Sequence, residues 1–301
     1  METTTYKKPF FTHQRKQAMY GIAYIMPACI IITVFCIVTI FMAIYYSFTE
    51  YNMIKAPELI GIKNYIKIFS DKAFRAAMVN TLKYVVITVP AQVCISLGLA
   101  AFLAEKLQNR FGSLAKSVIF IPYIINGIAA SAVWSILFKT DGMVNTLISW
   151  FGAEGLNWLG DRNLAFICVC IVAVWKNLGY FLIIYYAGVQ GVPIDQHEAA
   201  LCDGATPLQR FWHITVPGVK PITYMVVTLS IINAFQIFDV VYQLTYGGPG
   251  NATMTVSYVI YQAAFKDWKM GYACALAVIL LILVLAVNLI QDIFFKEKGG
   301  Q

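Results

Sequence analysis

Asn233, Gln236 and Asp239 place two amides and a carboxylate at three-residue spacing in an otherwise apolar stretch. Asn177 and Tyr180 repeat that spacing on another such stretch, directly after Lys176. Residues three or four apart share a helix face, so each set reads as a polar stripe. Amides, a carboxylate and an aromatic ring are groups that bind hydroxyl-rich solutes and stack on sugar faces. The same groups also hold membrane helices together, and the sequence leaves both roles open. Lys176 and Asp239 are ionisable groups in apolar surroundings, where their cost marks them for function. They can pair with each other or line a solute path. On continuous antiparallel helices they would differ in depth by about 9 Å, from a rise of 1.5 Å per residue. Lys83 lies close enough to a segment end to extend its ammonium into water.

No catalytic set accompanies these groups. No G-x-x-x-x-G-K-[ST] run occurs, so the chain has no phosphate-cradling loop of its own. His13, His197 and His213 lack zinc-site spacing, and no metal site is expected.

The elements that carry the stripes are membrane spans. The 301 residues are 59% hydrophobic and 12% charged, about half the charged share of a soluble domain. No charge occurs between Lys16 and Glu50, Lys83 and Glu105, Lys116 and Lys139, or Lys269 and Asp292. Two further apolar segments carry a single charge each in their interior, Lys176 and Asp239. A spanning helix needs roughly 20 apolar residues. The expectation is an all-α polytopic membrane protein with six spans, near 19–47, 80–104, 115–138, 163–190, 219–246 and 270–294. They form one transmembrane domain over 19–295, with tails at 1–18 and 296–301. The first apolar run is too long for a cleavable signal peptide. Lys and Arg divide almost evenly between the two sides, so the basic tail KKPFFTHQRK decides, and both termini are expected in the cytoplasm. Six of the seven cysteines fall in spans and read as small buried residues. Pro27, Pro90 and Pro122 read as prolines tolerated within spans.

Between the fourth and fifth spans lies a polar insert, 193–218, containing EAALCDGATPLQRFWHITVP. Asp195 stands three residues before Glu198, a capping-box spacing. Gly204 is placed to end that helix in a left-handed conformation. Thr206-Pro207 reads as an N-cap followed by proline at the first helical position. Pro217 is expected to push Val216 into extended geometry and stop the second helix. The result is helix, glycine turn, helix, with Ala199 and Ala200 small enough for another surface to approach. Connectors usually run 2–8 residues, so a longer folded one reads as a docking element. Farther on, Gly247-Gly248-Pro249-Gly250 is a strong breaker and is expected to form an outward-facing loop.

Glu198-Ala199-Ala200, Gly204 and Ile214-x-Val216-Pro217 resemble the EAA motif of ABC importer permeases, with valine at 216 where that family usually has leucine. GIKNY (Gly61–Tyr65), Asn80-Thr81, FIPYI (Phe120–Ile124), Trp134, Trp175, Asp203-Gly204-Ala205 and GGPGNAT (Gly247–Thr253) look like its carbohydrate branch, the maltose-type permeases. The resemblance implies a binding-protein-dependent permease subunit of a bacterial inner membrane. The insert would be the coupling helix, with Glu198, Ala199, Ala200, Asp203, Gly204, Ile214 and Pro217 docking to an ATPase subunit. Asn177, Tyr180, Asn233, Gln236 and Asp239 would line the substrate pathway. The implied partners are a second homologous permease, two ATPase subunits, an extracytoplasmic solute-binding protein, a sugar and the lipid bilayer, with no nucleic acid. No cofactor is expected on this chain; ATP and Mg belong to the partner ATPase. The alternatives are a glycerol-phosphate importer of similar build and an ion-gradient secondary transporter.

Overall fold

The structure is a computed structural model that describes residues 13–107 and 109–296. The remaining parts of both tails lie outside the described residues. α1 (His13–Ile32) passes through a π turn (Thr33–Val38) into α2 (Thr39–Ser47). The most apolar window of this first span buries none of its residues within the chain. A two-stranded ribbon follows, β1 (Thr49–Glu50) against β2 (Glu58–Leu59), paired antiparallel as Thr49↔Leu59 and Glu50↔Glu58. On α3 (Lys63–Ser70), Asn64 Nδ2 donates to the carbonyls of Ser47 and Thr49, both at 2.9 Å. The Tyr65 phenol meets Ser47 Oγ at 2.7 Å. The GIKNY segment thereby clamps the end of the first span.

α4 (Lys72–Lys106) starts earlier than the expected 80, because Asp71 caps it by accepting from the Ala73 N–H at 2.8 Å. At 1.5 Å per residue its 35 residues reach about 52 Å. The expected third span is two helices, α5 (Arg110–Ile124) and α6 (Gly127–Leu137), bent by 100°. Ile125 turns extended, and Asn126 caps the new helix by accepting from the Ile128 N–H. α7 (Met143–Trp150) leads into α8 (Arg162–Gln190), which packs against both α4 and α5. Gly179 allows the closest approach, since a Cβ there would meet the Ile119 carbonyl oxygen at 2.2 Å.

The insert holds α9 (Ile194–Cys202), α10 (Pro207–Arg210), a π turn (Phe211–Thr215) and α11 (Val216–Gly218). A 73° bend then separates it from α12 (Lys220–Phe235). The expected fifth span does not run on to 246. It breaks at 236–238 and restarts as α13 (Asp239–Leu244). After the Gly247–Thr253 turn come α14 (Val256–Tyr261), a π turn (Gln262–Lys266) and α15 (Met270–Lys296). Among the described residues four helices are long and apolar enough to cross a membrane, or six if each bent pair is one span. Pro27, Pro90 and Pro122 all lie inside helices. The larger buried cluster, with Val172, Val241 and Leu276, surrounds the helix breaks. A smaller one, with Phe181, Tyr185 and Val226, lies toward the insert.

Candidate functional site

The break at 236–238 opens onto a polar cavity of about 210 Å³, and the start of α6 lies against Asp239 on its wall. Its walls include Tyr84 and Gln92 of α4, Lys176 and Asn177 of α8, Asn233 of α12, and Gln236 and Asp239 at the break. Lys176 is the fifteenth of the 29 residues of α8. Tyr84 and Gln92 straddle the midpoint of α4. The cavity therefore lies at mid-depth of both long spans, as irregular backbone in a membrane must line a cavity or be buried in protein.

Lys176 Nζ bonds Asp239 Oδ2 at 3.2 Å, with the two side chains 20% and 35% exposed. The 9 Å depth offset expected for continuous helices is absent because α12 ends at Phe235, which frees Asp239 from the register of that helix. Both readings of the pair hold geometrically, since the two groups are paired and both line the cavity. Gly127, the first residue of α6, lies against this carboxylate; a Cβ there would fall 1.4 Å from Asp239 Oδ2. The partial positive charge at a helix N-terminus favours a carboxylate, so the break in the third span also supports Asp239.

Asn233 and Gln236 are exposed, and among the described residues their side chains have no hydrogen-bond partner. Two amides with unspent donors and acceptors are available to a solute. Asn177 lines the cavity with its Nδ2 tied to the Ala173 carbonyl at 3.0 Å. Tyr180 stands apart from this cavity. It is absent from the cavity wall and stacks on Tyr123 at 4.6 Å and 12°. Three residues turn a helix by about 300°, and that remaining 60° directs Tyr180 toward α5. Tyr84, Gln92 and Gly127 were missed. Gln92 was visible as a lone amide in a charge-free span, and Gly127 as the second residue of an Asn-Gly turn pair.

At one end of the bundle the insert presents a second surface. α9 begins directly after Pro193, and no side chain caps it. Asp195 already lies in its first turn, so the expected capping box with Glu198 does not form; Asp195 acts on the helix dipole instead. Gly204 takes φ +76° as expected. Its N–H donates to the Leu201 carbonyl at 3.0 Å, and the Ala205 N–H to Ala200 at 2.9 Å. These are the paired bonds of a Schellman ending. Thr206 and Gln209 form a capping box, with the Thr206 N–H donating to Gln209 Oε1 at 2.8 Å.

Pro217 does not end the second helix. Val216 stays helical at φ −59°, ψ −47°. The preceding π turn shifts the hydrogen-bond register, with the Val216 N–H reaching the Phe211 carbonyl, and the chain stays helical through a residue that has no N–H. Glu198, Ala199, Asp203, Gly204 and Pro217 are exposed, while Ala200 and Ile214 are half-buried. Leu201, Leu208 and Trp212 stand exposed beside them at 54%, 67% and 58%. Arg210 bonds Glu105 at 2.7 Å, fastening the insert to the end of α4.

At the opposite end Asn80 Nδ2 donates to the carbonyls of Asn251 (2.8 Å) and Met254 (3.0 Å). Thr81 Oγ1 accepts from the Val256 N–H at 3.1 Å. Asn80-Thr81 and GGPGNAT are thus two halves of one fastening. Residues 96–298 match the family described as the binding-protein-dependent transport system inner membrane component. The chain belongs to that family.

As a member it is a membrane transport component of the ABC permease type. Among its relatives is the "Probable ABC transporter permease protein YurN" of Bacillus subtilis, 35% identical over 91% of this chain and 94% of that protein. The trehalose/maltose transport system permease protein MalF of Thermococcus litoralis is 29% identical over 91% of this chain and 93% of its own length. The fold matches a chain of a bacterial ABC transporter that imports the acidic polysaccharide alginate, with a TM-score of 0.82. That match has 19% identity and covers 94% of this chain and 97% of the other.

Proposed function

We propose that this chain forms half of the translocation pathway of an ATP-driven importer of neutral sugars or oligosaccharides. The observation that carries the proposal is the mid-depth cavity with unpartnered amides at Asn233 and Gln236 and a charge-compensated Lys176–Asp239 pair. Amides offer both donors and acceptors to hydroxyl groups. The cavity's 210 Å³ is smaller than the roughly 300–1,000 Å³ of a complete ligand pocket. A second, homologous permease supplies the other wall. Relatives named for trehalose/maltose, starch degradation products and arabinooligosaccharides support the solute class. A glycerol phosphate fits less well, because Lys176, the one cation on the cavity wall among the described residues, is already paired with Asp239.

The insert is the coupling element. Glu198, Ala199, Ala200, Asp203, Gly204, Ile214 and Pro217 dock into an ATPase subunit, which holds ATP and Mg. Closure of two such subunits moves the insert, and Arg210–Glu105 passes the motion to α4, a wall of the cavity. In this orientation the insert and both termini face the cytoplasm. The Gly247–Thr253 turn faces outward, toward an extracytoplasmic solute-binding protein. A solved relative of this fold was captured with a saccharide-loaded periplasmic protein.

The test is reconstitution of the chain with the second permease, ATPase and binding protein in liposomes. Uptake of a neutral oligosaccharide should require ATP inside and binding protein outside. Uptake driven by an ion gradient without ATP would overturn the reading, and preferential uptake of glycerol phosphate would overturn the solute class.

A further inference from the structure

Outside the polar cavity six aromatic rings stand in contact along two arms of the chain. Phe238, Tyr242 and Tyr246 recur every four residues on one arm, and Tyr258, Tyr261 and Phe265 form the other. The arms interlock. Phe238 stacks on Tyr242 at 5.3 Å and meets Tyr261 at 5.0 Å, and Tyr242 meets Tyr261 edge-on at 5.3 Å. Tyr246 and Phe265 extend the two ends at 5.6 and 5.5 Å. Tyr258 is buried beneath them, Phe238, Tyr242 and Tyr261 are half-exposed, and Tyr246 and Phe265 are 58% and 64% exposed.

Two bonds to α8 fix where this row leads. Asp239, next to Phe238, is held on Lys176. Gly250, past the far end of the first arm, accepts from Arg162 Nη2 at 3.2 Å. Lys176 and Arg162 are 14 residues apart (176 − 162) on one helix, which is about 21 Å of rise. The row therefore runs along the span, from the cavity wall to its rim. An interfacial aromatic belt is a different object, confined to headgroup depth. The exposed stretches of α1 and α2 carry mainly Ile, Val, Phe and Met, with phenols at Tyr20, Tyr24 and Tyr45; four of the six residues of the row carry phenols, and they touch one another. Tyr246 also takes a left-handed φ of +53°, uncommon for a bulky residue, so the turn fixes the direction of this ring at a conformational cost.

We infer that these rings form a stacking track that receives the pyranose or furanose faces of an oligosaccharide before they enter the cavity. The inference rests on the carbohydrate-importer reading. A ring with an apolar face and a polar tip suits a sugar, which has an apolar C–H face and hydroxyl edges. The track gives the site a length that the cavity lacks, so the solute class it selects is a chain of two or more sugar units.

The test uses the reconstituted importer with its loaded binding protein at saturation. The probe is whichever member of a panel of maltotriose, cellotriose and arabinotriose the binding protein holds best, with the matching disaccharide. Tyr242→Leu and Tyr261→Leu should each lower trisaccharide moved per ATP about fivefold, or about 1 kcal/mol at 1.4 kcal/mol per tenfold. The disaccharide should lose less, since it reaches fewer rings. Tyr242→Phe and Tyr261→Phe keep the stacking face and should keep most transport. Phe35→Leu, on the exposed first span, is the unaffected control. Equal losses for both sugars would mean helix packing and overturn the track. Leucine variants with wild-type transport of both would mean lipid contact and overturn it as well. A wild-type complex that moves none of the panel overturns the functional reading and the track together.

Discussion

Replacing Gly204 by valine isolates the coupling turn. The residue holds φ +76°, and a Cβ built on it finds nothing within 4 Å. The substitution therefore adds no clash, and its whole cost is backbone strain. A left-handed conformation costs an L-residue with a Cβ roughly 1–2 kcal/mol, and a β-branched residue lies at the upper end. If the turn relaxes, the two bonds that end α9, from Gly204 to Leu201 and from Ala205 to Ala200, are lost. α9 and α10 then no longer hold one relative angle. At 1.4 kcal/mol per tenfold, that strain removes the docking geometry by about five- to thirtyfold. The assay is titration of the ATPase subunit onto the permease pair in liposomes, read as half-saturation and as binding-protein-stimulated ATP hydrolysis. Gly204→Val should shift half-saturation by that factor, while solute binding to the binding protein is unchanged. Gly204→Asn, which tolerates left-handed geometry, should stay within about threefold. Wild-type half-saturation and stimulation in Gly204→Val would refute the docking role.

Three further outcomes are expected. Arg210→Glu should uncouple ATP hydrolysis from uptake, and the exchange Glu105→Arg with Arg210→Glu should restore much of it, because the 2.7 Å pair joins the insert to α4; failure of the exchange to rescue either activity counts against that link. Asn80→Leu removes two hydrogen bonds to the 247–255 segment, a loss of about 1–3 kcal/mol at roughly 0.5–1.5 each; a cysteine placed at Asn251 should then react faster with an impermeant thiol reagent added outside, whereas labelling from the cytoplasm alone would reverse the topology. Asn233→Leu should lower uptake with assembly intact, while Tyr180→Ala should lower the melting temperature of the complex through the lost Tyr123 stack; the reverse pattern would place Tyr180 in the pathway after all.

Much of this protein is written in local order along the chain. Apolar run length marks the spans, because a fixed bilayer thickness demands it. Gly204, Thr206-Pro207 and the Gly247–Gly250 breaker act through their own backbone preferences, so their turns were legible without a partner. The insert's family signature is similarly contiguous. The tertiary structure alone decided what meets what. Asp239 reaches Lys176 only because the chain breaks at 236–238, and that break is set by packing against α6, whose Gly127 backs onto the carboxylate. The bend at 125–126 carries a local mark, the Asn126-Gly127 turn pair, but the charge-free run from Lys116 to Lys139 reads as one continuous span over it. Pro217 misled in the opposite direction, since a π turn upstream absorbed its missing N–H. Tyr180 shares a spacing with Asn177 yet stacks on Tyr123, because a 60° difference in direction matters only once a neighbouring helix occupies it. Spans and turns obey local sterics and solvent transfer; the cavity depends on contacts between residues far apart in the chain, which no local pattern encodes.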